Sequence, residues 1–230
     1  MVPNQAHVRY TAAEYDRYTR DFVKPYDEML AGWVLRQAKK LPRTFVLLDV
    51  GTGTARFLIH IAGMPELSEA RLIGTDVFED MIQEGQTAIR EAGFENRIEL
   101  LLDDVHDMKL PSDFADLIVS RSTLHHWHES TFENPVPRAL SEVHRVLKPG
   151  GSALIVDVRR DAPKEAVEEF NKLRGQAGIG NSFTDEKFTA AEVMAFAEAA
   201  GIGRSSKVEV GASGLSALGL GLTITKPADV

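Results

Sequence analysis

Cysteine is absent from the 230 residues of the chain. Without thiols the chain can form no disulfide, hold no metal through sulfur and use no thiolate as a nucleophile. It also has no run of about 20 apolar residues, the length that a membrane-spanning helix needs. Residues 3–5, which read Pro-Asn-Gln, are unlike the charged and apolar start of a signal peptide. We therefore expect a cytoplasmic protein with no membrane association.

Positive charge is scarce relative to negative charge. The chain has 26 lysines and arginines against 34 aspartates and glutamates, for a net charge of −8. Because binding to phosphate backbones usually needs a basic surface, we expect no nucleic-acid partner. The length suffices for one doubly wound domain with a full hydrophobic core, and no repeat or long linker divides it. A small molecule is the expected kind of substrate.

The most informative segment is a glycine-containing loop after an apolar run. Residues 49–55 read Asp-Val-Gly-Thr-Gly-Thr-Ala and directly follow the apolar residues 45–48. Two glycines allow a tight turn and a close approach of the backbone to a ligand. The helix predicted over residues 54–62 then directs its free N-terminal NH groups at whatever is bound. The pattern indicates a strand, loop and helix that bind a nucleotide-like cofactor.

Two residues around this loop argue against a dinucleotide. Arg56 stands where the fingerprint Gly-x-Gly-x-x-Gly needs its third glycine, and the Asp49 carboxylate would lie close to a pyrophosphate. A cofactor with an ammonium and a sulfonium but no phosphate, S-adenosylmethionine, would instead be attracted by that carboxylate. The loop resembles the first motif of the class I S-adenosylmethionine-dependent methyltransferases, acidic-x-Gly-x-Gly-x-Gly, with Ala55 in place of the third glycine. Asp49, Gly51 and Gly53 are therefore predicted cofactor contacts.

A second predicted strand, residues 71–76, ends in a carboxylate. Asp76 lies 23 residues beyond Gly53, close to the spacing at which an acidic side chain reaches the ribose hydroxyls of a nucleotide. We predict that Asp76, with Val77 beside it, binds the ribose of the cofactor. The alternative is that Asp76 only caps the helix predicted over residues 78–92, because aspartate is a favoured residue at helix starts.

Acidic residues also follow the third predicted strand, residues 97–102. The resemblance implies an acidic residue here against the adenine amino group of the cofactor. It also implies that the backbone NH of the next residue contacts a ring nitrogen. Asp104 and Val105 match these two positions. Asp103 is the alternative one residue earlier, and a third possibility is that either carboxylate is only a solvated loop residue.

The fourth predicted strand, residues 115–120, leads to a segment that is very characteristic of the same family. Ser120 at its end is a further predicted cofactor contact. Residues 139–151 read Ala-Leu-Ser-Glu-Val-His-Arg-Val-Leu-Lys-Pro-Gly-Gly, with an apolar stripe for docking on the sheet and a Pro-Gly-Gly stop. The resemblance is strongest over residues 44–160. It implies a doubly wound α/β fold: a mostly parallel, seven-stranded, Rossmann-like sheet with an antiparallel last strand and helices on both faces.

Aromatic residues recur in residues 1–40, which we predict to form a helical lid on the domain of residues 41–230. Those at helical spacing are Tyr15, Tyr18, Phe22 and Tyr26. A plain packing stripe would also produce this spacing. The alternative is a lid whose aromatic faces contact the sulfonium by cation–π attraction and exclude water. On that hypothesis Tyr18 contacts the cofactor and Tyr10 contacts the substrate.

The C-terminal part of the chain combines helical segments with a closing hairpin. A small helical cap, interrupted by a glycine-rich stretch, is expected over residues 161–184. Thr189 and Glu192 have the spacing of a Thr-x-x-Glu capping box and predict the start of another helix. The last two strands are predicted over residues 204–210 and 216–225, joined by a turn that contains two glycines.

Three histidines follow the fourth strand, where residues 124–128 read Leu-His-His-Trp-His. Histidine suits proton transfer near neutral pH. In the sugar and natural-product O-methyltransferases that this sequence resembles, the first histidine of Leu-His-His acts with an aspartate at the end of strand five. This implies a catalytic pair of His125 and Asp157, the alternative being that His125 only lines the pocket or the core. No metal is predicted at His125, His126 and His128, because no well-spaced carboxylate completes such a site.

Substrate contacts are predicted around this pair. His126 and Trp127 are expected to border the pocket. Arg159, just after strand five, could hold a substrate carboxylate through two parallel hydrogen bonds, or it could be a solvated surface residue. The loop over residues 128–137 is longer than the link usual in relatives, and its prolines favour an extended path until the helix restarts near Pro137. Because this loop borders the proposed pocket, it leaves the class of substrate open.

The motifs predict a methyltransferase that moves a methyl group from S-adenosylmethionine to an oxygen or nitrogen of a small molecule. S-adenosylhomocysteine would be the second product. One alternative is an enzyme of the same fold that keeps the cofactor but performs cyclisation or decarboxylation. Another is a catalytically silent subunit that only binds the cofactor. We expect the chain to act as a monomer or homodimer.

Overall fold

The computed structural model describes residues 11–16, 24–176, 187–212 and 214–228. Several predicted features lie outside the described residues: Tyr10, Tyr18, Phe22, the side chain of Tyr26 and most of the glycine-rich stretch of the cap. The lid and its aromatic contacts therefore stay predictions. Within the described ranges, no helix has the length and apolar character needed to cross a membrane.

Seven strands form a single, mostly parallel sheet. They are β1 (Val46–Val50), β2 (Arg71–Asp76), β3 (Ile98–Leu102), β4 (Ala115–Arg121), β5 (Leu147–Val158), β6 (Ser206–Val210) and β7 (Gly219–Thr225). Their order across the sheet is β3-β2-β1-β4-β5-β7-β6, and β7 is antiparallel to both of its neighbours. The order reverses between β1 and β4, which places the loops after these two strands side by side. The predicted fold class is confirmed.

Helices cover both faces of this sheet. They are α1 (Lys24–Ala38), α2 (Arg56–Ala62), α3 (Glu79–Ala92), α4 (Pro135–Val146), α5 (Lys164–Gln176) and α6 (Ala190–Ala199). On one face, α1 and α2 form a core with β1 around Leu30, Phe57 and Leu47. On the other face, α4 and α6 pack on the sheet through Val143 and Val193. The apolar stripe of α4 is thus used as the sequence pattern predicts.

Several element boundaries differ by two or three residues from the sequence prediction, among them the starts of α4 and of the last strand. Helix α4 begins at Pro135 rather than near Pro137, after Asn134 in the left-handed region with φ of 46°. Proline is favoured in the first turn of a helix because its missing NH would have no partner there. The last strand begins at Gly219, because the preceding residues Gly214–Leu218 form a 3-10 turn.

The predicted capping box at the start of α6 is present. The Thr189 hydroxyl accepts a hydrogen bond from the Glu192 NH at 3.2 Å, and the Glu192 carboxylate accepts one from the Thr189 NH at 2.7 Å. Arg160 also pairs with the Glu192 carboxylate. The Arg160 NH in turn donates to the Phe188 carbonyl at 3.1 Å. The cap therefore holds the residues before α6 beside the end of β5.

We predict that Thr189→Ala lowers the free energy of unfolding by about 1 kcal/mol, because the Glu192 NH then loses its capping partner. Thr189→Ser keeps the hydroxyl and is expected to stay within a few tenths of a kcal/mol of the parent. Thr87→Ala is the matched control, since the Thr87 hydroxyl makes its hydrogen bonds within α3, to the Gln83 carbonyl and from the Arg90 side chain. Urea unfolding measures all three. Equal stability of the Thr189→Ala and Thr87→Ala variants would show that the cap contributes nothing.

Candidate cofactor and catalytic site

The loop after β1 has the backbone that its glycines predict. Gly51 and Gly53 have left-handed φ angles of 69° and 57°. A Cβ on Gly51 would lie 2.4 Å from the Thr123 Cγ2, and one on Gly53 would lie 2.8 Å from the Tyr15 Cε1. Ala55, where the family motif has its third glycine, is also left-handed with φ of 60°. That conformation costs a non-glycine residue about 1–2 kcal/mol, and it delays the start of α2 until Arg56.

Asp49 is the last acidic residue before the loop and is 3% exposed. Its carboxylate accepts a hydrogen bond from the Thr52 hydroxyl at 2.8 Å. Burial, only partly offset by this hydrogen bond and by the charge of Arg121, raises the pKa of Asp49 to about 7. The carboxylate is therefore costly to ionise in the protein alone, and a cation beside it would favour the charged form.

Arg121 is a buried charge near Asp49 that the sequence reasoning missed. The β1–β4 register pairs Asp49 with Val119, so that Arg121, two residues later, lies level with the glycine loop. The Arg121 Nε is 3.3 Å from the Asp27 Oδ1, with both side chains about one-tenth exposed. Burial raises the pKa of Asp27, against the lowering effect of Arg121. The sequence signal was available, because a basic residue directly ends an apolar strand.

Asp76 ties the end of β2 to the glycine loop. Its Oδ2 accepts a hydrogen bond from the Gly53 NH at 2.9 Å, and its Oδ1 accepts one from the Phe78 NH at 3.0 Å. The cap residue of α3 is Phe78, so Asp76 is not the N-cap that the alternative prediction required. Burial raises the pKa of Asp76 in spite of both hydrogen bonds. Each carboxylate oxygen has a second lone pair, so Asp76 retains acceptor capacity for ribose hydroxyls.

The two aspartates after β3 have different surroundings. Asp103 is buried and accepts hydrogen bonds from the backbone NH groups of Asp104 and Lys109, so it closes the turn. Asp104 is one-third exposed and contacts the His106 ring, with 2.6 Å between Oδ1 and Nδ1. The His106 hydrogen bond lowers the pKa of Asp104 and keeps it ionised. Asp104 thus has a partly exposed carboxylate, with the partly buried Val105 beside it, and adenine binding by these residues stays a prediction.

The end of β4 lies directly against the glycine loop. Ser120 is fully buried, and its Oγ is 2.5 Å from the Thr123 Oγ1. Thr123 is the residue that occupies the space beside Gly51. A second link comes from His106, whose Nε2 is 2.8 Å from the Trp127 carbonyl oxygen. The predicted cofactor residues and the histidine segment therefore form one continuous site, and Thr123 and His106 are members that sequence reasoning missed.

His125 and Asp157 form the predicted pair. The His125 Nδ1 lies 2.8 and 3.0 Å from the two Asp157 carboxylate oxygens, and the His125 backbone NH donates to Asp157 Oδ2 at 3.0 Å. Both side chains are buried. Burial alone would raise the pKa of Asp157, but the charge and hydrogen bonds of His125 outweigh it and the pKa is lowered. Because a carboxylate only accepts, Nδ1 carries the proton and Nε2 is the basic nitrogen.

The other two histidines of the segment have separate partners. The His126 Nδ1 is 2.8 Å from the Glu129 Oε1, and the side chain is about half exposed. The His128 Nδ1 is 2.6 Å from the His125 carbonyl oxygen. No group of three histidines or carboxylates arranged to hold a metal occurs in the part of the chain that the structure describes. Trp127, expected at the pocket, is 4% exposed and packs in the core around α4.

Two charged residues beyond β5, Arg159 and Lys187, have different surroundings. The Arg159 Nε donates to the Ala217 carbonyl at 3.0 Å, and its guanidinium is 3.3 Å from the Asp161 carboxylate. These contacts direct Arg159 toward the chain itself, so substrate binding by Arg159 stays a prediction. Lys187, which sequence reasoning missed, is buried, and its positive charge contributes to the lowered pKa of Asp157.

The chain is similar to methyltransferases in sequence. A family model described as "Methyltransferase domain" matches residues 48–155. The demethylmenaquinone methyltransferase of Bacteroides fragilis is 29% identical over 112 residues, which are 49% of this chain and 42% of the relative. The ubiquinone/menaquinone biosynthesis C-methyltransferase of Geobacter sulfurreducens is 31% identical over 142 residues, which are 60% of this chain and 52% of the relative. The chain thus spans about half the length of these curated relatives.

Solved structures share the fold. A putative S-adenosylmethionine-dependent methyltransferase from Methanococcus maripaludis has a TM-score of 0.70 at 20% identity, covering 95% of this chain and 93% of that one. A [4+2]-cyclase has a TM-score of 0.61 at 17% identity, covering 87% and 82%. The cyclase shows that this fold supports more than one reaction. Residues 48–155 of the chain thus match a methyltransferase domain, and the chain has the fold of the S-adenosylmethionine-dependent methyltransferases.

Proposed function

We propose that the chain transfers a methyl group from S-adenosylmethionine to an oxygen of a small molecule with an ionisable hydroxyl. The observation that carries this proposal is the buried contact between His125 and Asp157. A hydroxyl must lose its proton as it is methylated, and a base at the acceptor assists that step. A neutral amine has no such need. A protonated nitrogen is a possible acceptor for the same pair, because it must also lose a proton.

The cofactor fits residues that already lie together. The raised pKa of Asp49 marks a buried carboxylate that a ligand ammonium would stabilise. Asp76 has acceptor capacity for the ribose, and Asp104 with the Val105 NH is proposed for adenine. Gly51, Gly53 and Ser120 are the predicted contacts that line the loop between these carboxylates. When bound, S-adenosylmethionine supplies a methyl carbon whose bond to sulfur breaks as the acceptor oxygen bonds to it.

The chain's own residues handle the acceptor proton. Asp157 holds the His125 ring through Nδ1 and keeps Nε2 basic. His125 Nε2 then takes the hydroxyl proton, and the positive charge that forms on the ring faces the Asp157 carboxylate. Lys187 adds a buried positive charge near the pair. We propose that this charge favours an acceptor oxygen that becomes anionic as its proton leaves.

A second candidate is methylation of a ring carbon next to a hydroxyl. The curated relatives favour it, because one of them is named a C-methyltransferase of ubiquinone/menaquinone biosynthesis. Removing the proton of a ring hydroxyl places negative charge on the neighbouring ring carbon as well as on the oxygen, so the same base would serve. The two candidates differ only in the atom that carries the new methyl group. Tandem mass spectrometry of the product locates that atom.

We predict that cofactor affinity falls below about pH 7. The ammonium of the cofactor is attracted to the ionised Asp49, whose pKa in the unliganded protein is about 7. The apparent Kd should therefore rise by about tenfold for each pH unit below that value. Calorimetric titration with S-adenosylhomocysteine measures the slope. Asp49→Asn is the control and should bind weakly with a flat profile, whereas a flat profile in the parent would place the ammonium elsewhere.

The raised pKa of Asp49 also makes the stability of the unliganded protein depend on pH. Folding raises the Asp49 pKa from 3.8, so the contribution of this group to stability is complete below that pH and is lost as pH rises through about 7. A bound ammonium offsets the loss. The rise in Tm on adding S-adenosylhomocysteine should consequently be larger at about pH 8 than at about pH 6. An equal rise at both pH values would speak against the assignment.

Asp76→Asn should weaken cofactor binding by roughly 1.5–3 kcal/mol, because it removes a charged acceptor from the ribose hydroxyls. Asp76→Ala should also lower the stability of the unliganded protein by about 1–3 kcal/mol, since the Gly53 and Phe78 NH groups lose their partner. Glu95→Gln, in the exposed turn after α3, is the control and should change neither. Calorimetry and urea unfolding measure the two effects. Unchanged cofactor affinity in Asp76→Asn would contradict the assignment of Asp76 to the ribose.

The base is tested on an acceptor found by mass spectrometry of products from a panel of phenols, enols and amines. Under single-turnover conditions with saturating cofactor, His125→Ala should slow methylation by about 10²–10⁴-fold, and Asp157→Asn should follow it. The rate of His125→Ala should rise with pH as the acceptor ionises by itself. His144→Ala, on α4, is the control. Near-normal methylation rates in both His125→Ala and Asp157→Asn would contradict a catalytic role and leave the pair with a structural one.

A further inference from the structure

The described N-terminal residues 11–16 lie directly on the cofactor loop. The Tyr15 ring occupies the space beside Gly53, since a Cβ built on Gly53 would be only 2.8 Å from the Tyr15 Cε1. Gly53 is the residue whose NH donates to Asp76. Any larger residue at position 53 would displace the ring. The contact thus joins an N-terminal aromatic residue to the part of the loop that is tied to the proposed ribose site.

The neighbouring residue anchors this contact. Asp16 is paired with Arg56 through two parallel hydrogen bonds, with 2.5 Å between Oδ1 and Nε and 2.6 Å between Oδ2 and Nη2. The Asp16 side chain is 7% exposed and the Arg56 side chain 20%. Two-point contacts of this kind, shielded from water, are stronger and more directional than surface ion pairs. The hydrogen bond to Asp16 raises the pKa of Arg56, so Arg56 stays charged.

The segment is also ordered from its other end. The Thr11 NH and hydroxyl donate to the Glu14 carboxylate at 2.9 and 3.0 Å, and the Glu14 NH donates to the Thr11 hydroxyl at 3.2 Å. This is a capping box at the start of a helical turn over residues 12–16. Tyr15 therefore lies between a local cap and a long-range ion pair.

We infer that residues 11–16 form a strap across the cofactor loop, that Asp16 and Arg56 are positioning residues which hold it closed, and that opening this strap limits cofactor release. The inference rests on the cofactor site of the proposed function. Arg56 is the residue that occupies the third glycine position of the dinucleotide fingerprint, and the strap accounts for an arginine there. The Tyr15 ring shields Gly53 and the start of α2 from water while the pair is intact.

The test measures the rate at which S-adenosylhomocysteine leaves the full-length chain, by surface plasmon resonance. Asp16→Asn and Arg56→Gln should each raise koff by about tenfold or more, because the strap loses its two-point contact. The exchanged pair, Asp16→Arg with Arg56→Asp, should return koff to within about threefold of the parent, since the charges again attract. Arg43→Gln is the matched control. Its pair with Glu69 is exposed, and koff should not change.

The outcomes separate the strap from the cofactor site. Absence of binding in the parent chain would overturn the cofactor assignment itself. Normal binding with parent-like koff in Asp16→Asn and Arg56→Gln would overturn the strap alone. Failure of the exchanged pair to slow release would show that the ion pair is not the anchor. Because Arg56→Gln could loosen α2, the unfolding midpoint is recorded for each variant, and faster release in Asp16→Asn at an unchanged midpoint supports the strap.

Discussion

The hydrogen bond from the Gly53 NH to the Asp76 carboxylate is the contact on which the site depends. It joins the loop after β1 to the end of β2 and holds the left-handed turn that only glycine adopts at little cost. The turn leads directly to Ala55, whose own left-handed conformation sets the start of α2 at Arg56. A single buried carboxylate thus fixes the cofactor loop, and through α2 it fixes the anchor of the N-terminal strap.

Parallel strands bring the two halves of the site together. The carboxylates proposed to bind the cofactor lie at the ends of β1 and β2 and just after β3, whereas His125 follows β4 and Asp157 lies near the end of β5. Thr123, packed against Gly51, and His106, bonded to the Trp127 carbonyl, connect the halves across the reversal in strand order. On the proposed function, this arrangement lets the cofactor and the base face the same edge of the sheet without a shared loop. The reaction is then decided by the side chains at the cleft, since a cyclase shares the fold.

Several carboxyl groups of this site are buried, which disfavours their charged form. Asp27, Asp49 and Asp76 all have raised pKa values because each carboxyl group is buried. Asp157 is as deeply buried, yet the adjacent His125 lowers its pKa. A cationic or hydroxyl-bearing ligand would stabilise the charged forms of Asp49 and Asp76, whereas Asp27 already faces Arg121. Asp157 already has a partner inside the protein, His125, which stabilises its charged form. This suits a pair that must keep one orientation.

The sequence alone determined the order of the elements, the glycine loop and the capping box of α6, because hydrophobic period, turn residues and caps act over a few neighbouring residues. Its resemblance to a family also paired His125 with Asp157. Only the tertiary structure decided that Asp16 meets Arg56, that Arg121 meets Asp27, and that Trp127 packs in the core around α4. These contacts join residues distant in sequence, and packing, which no local pattern encodes, selects among the partners available to each charge.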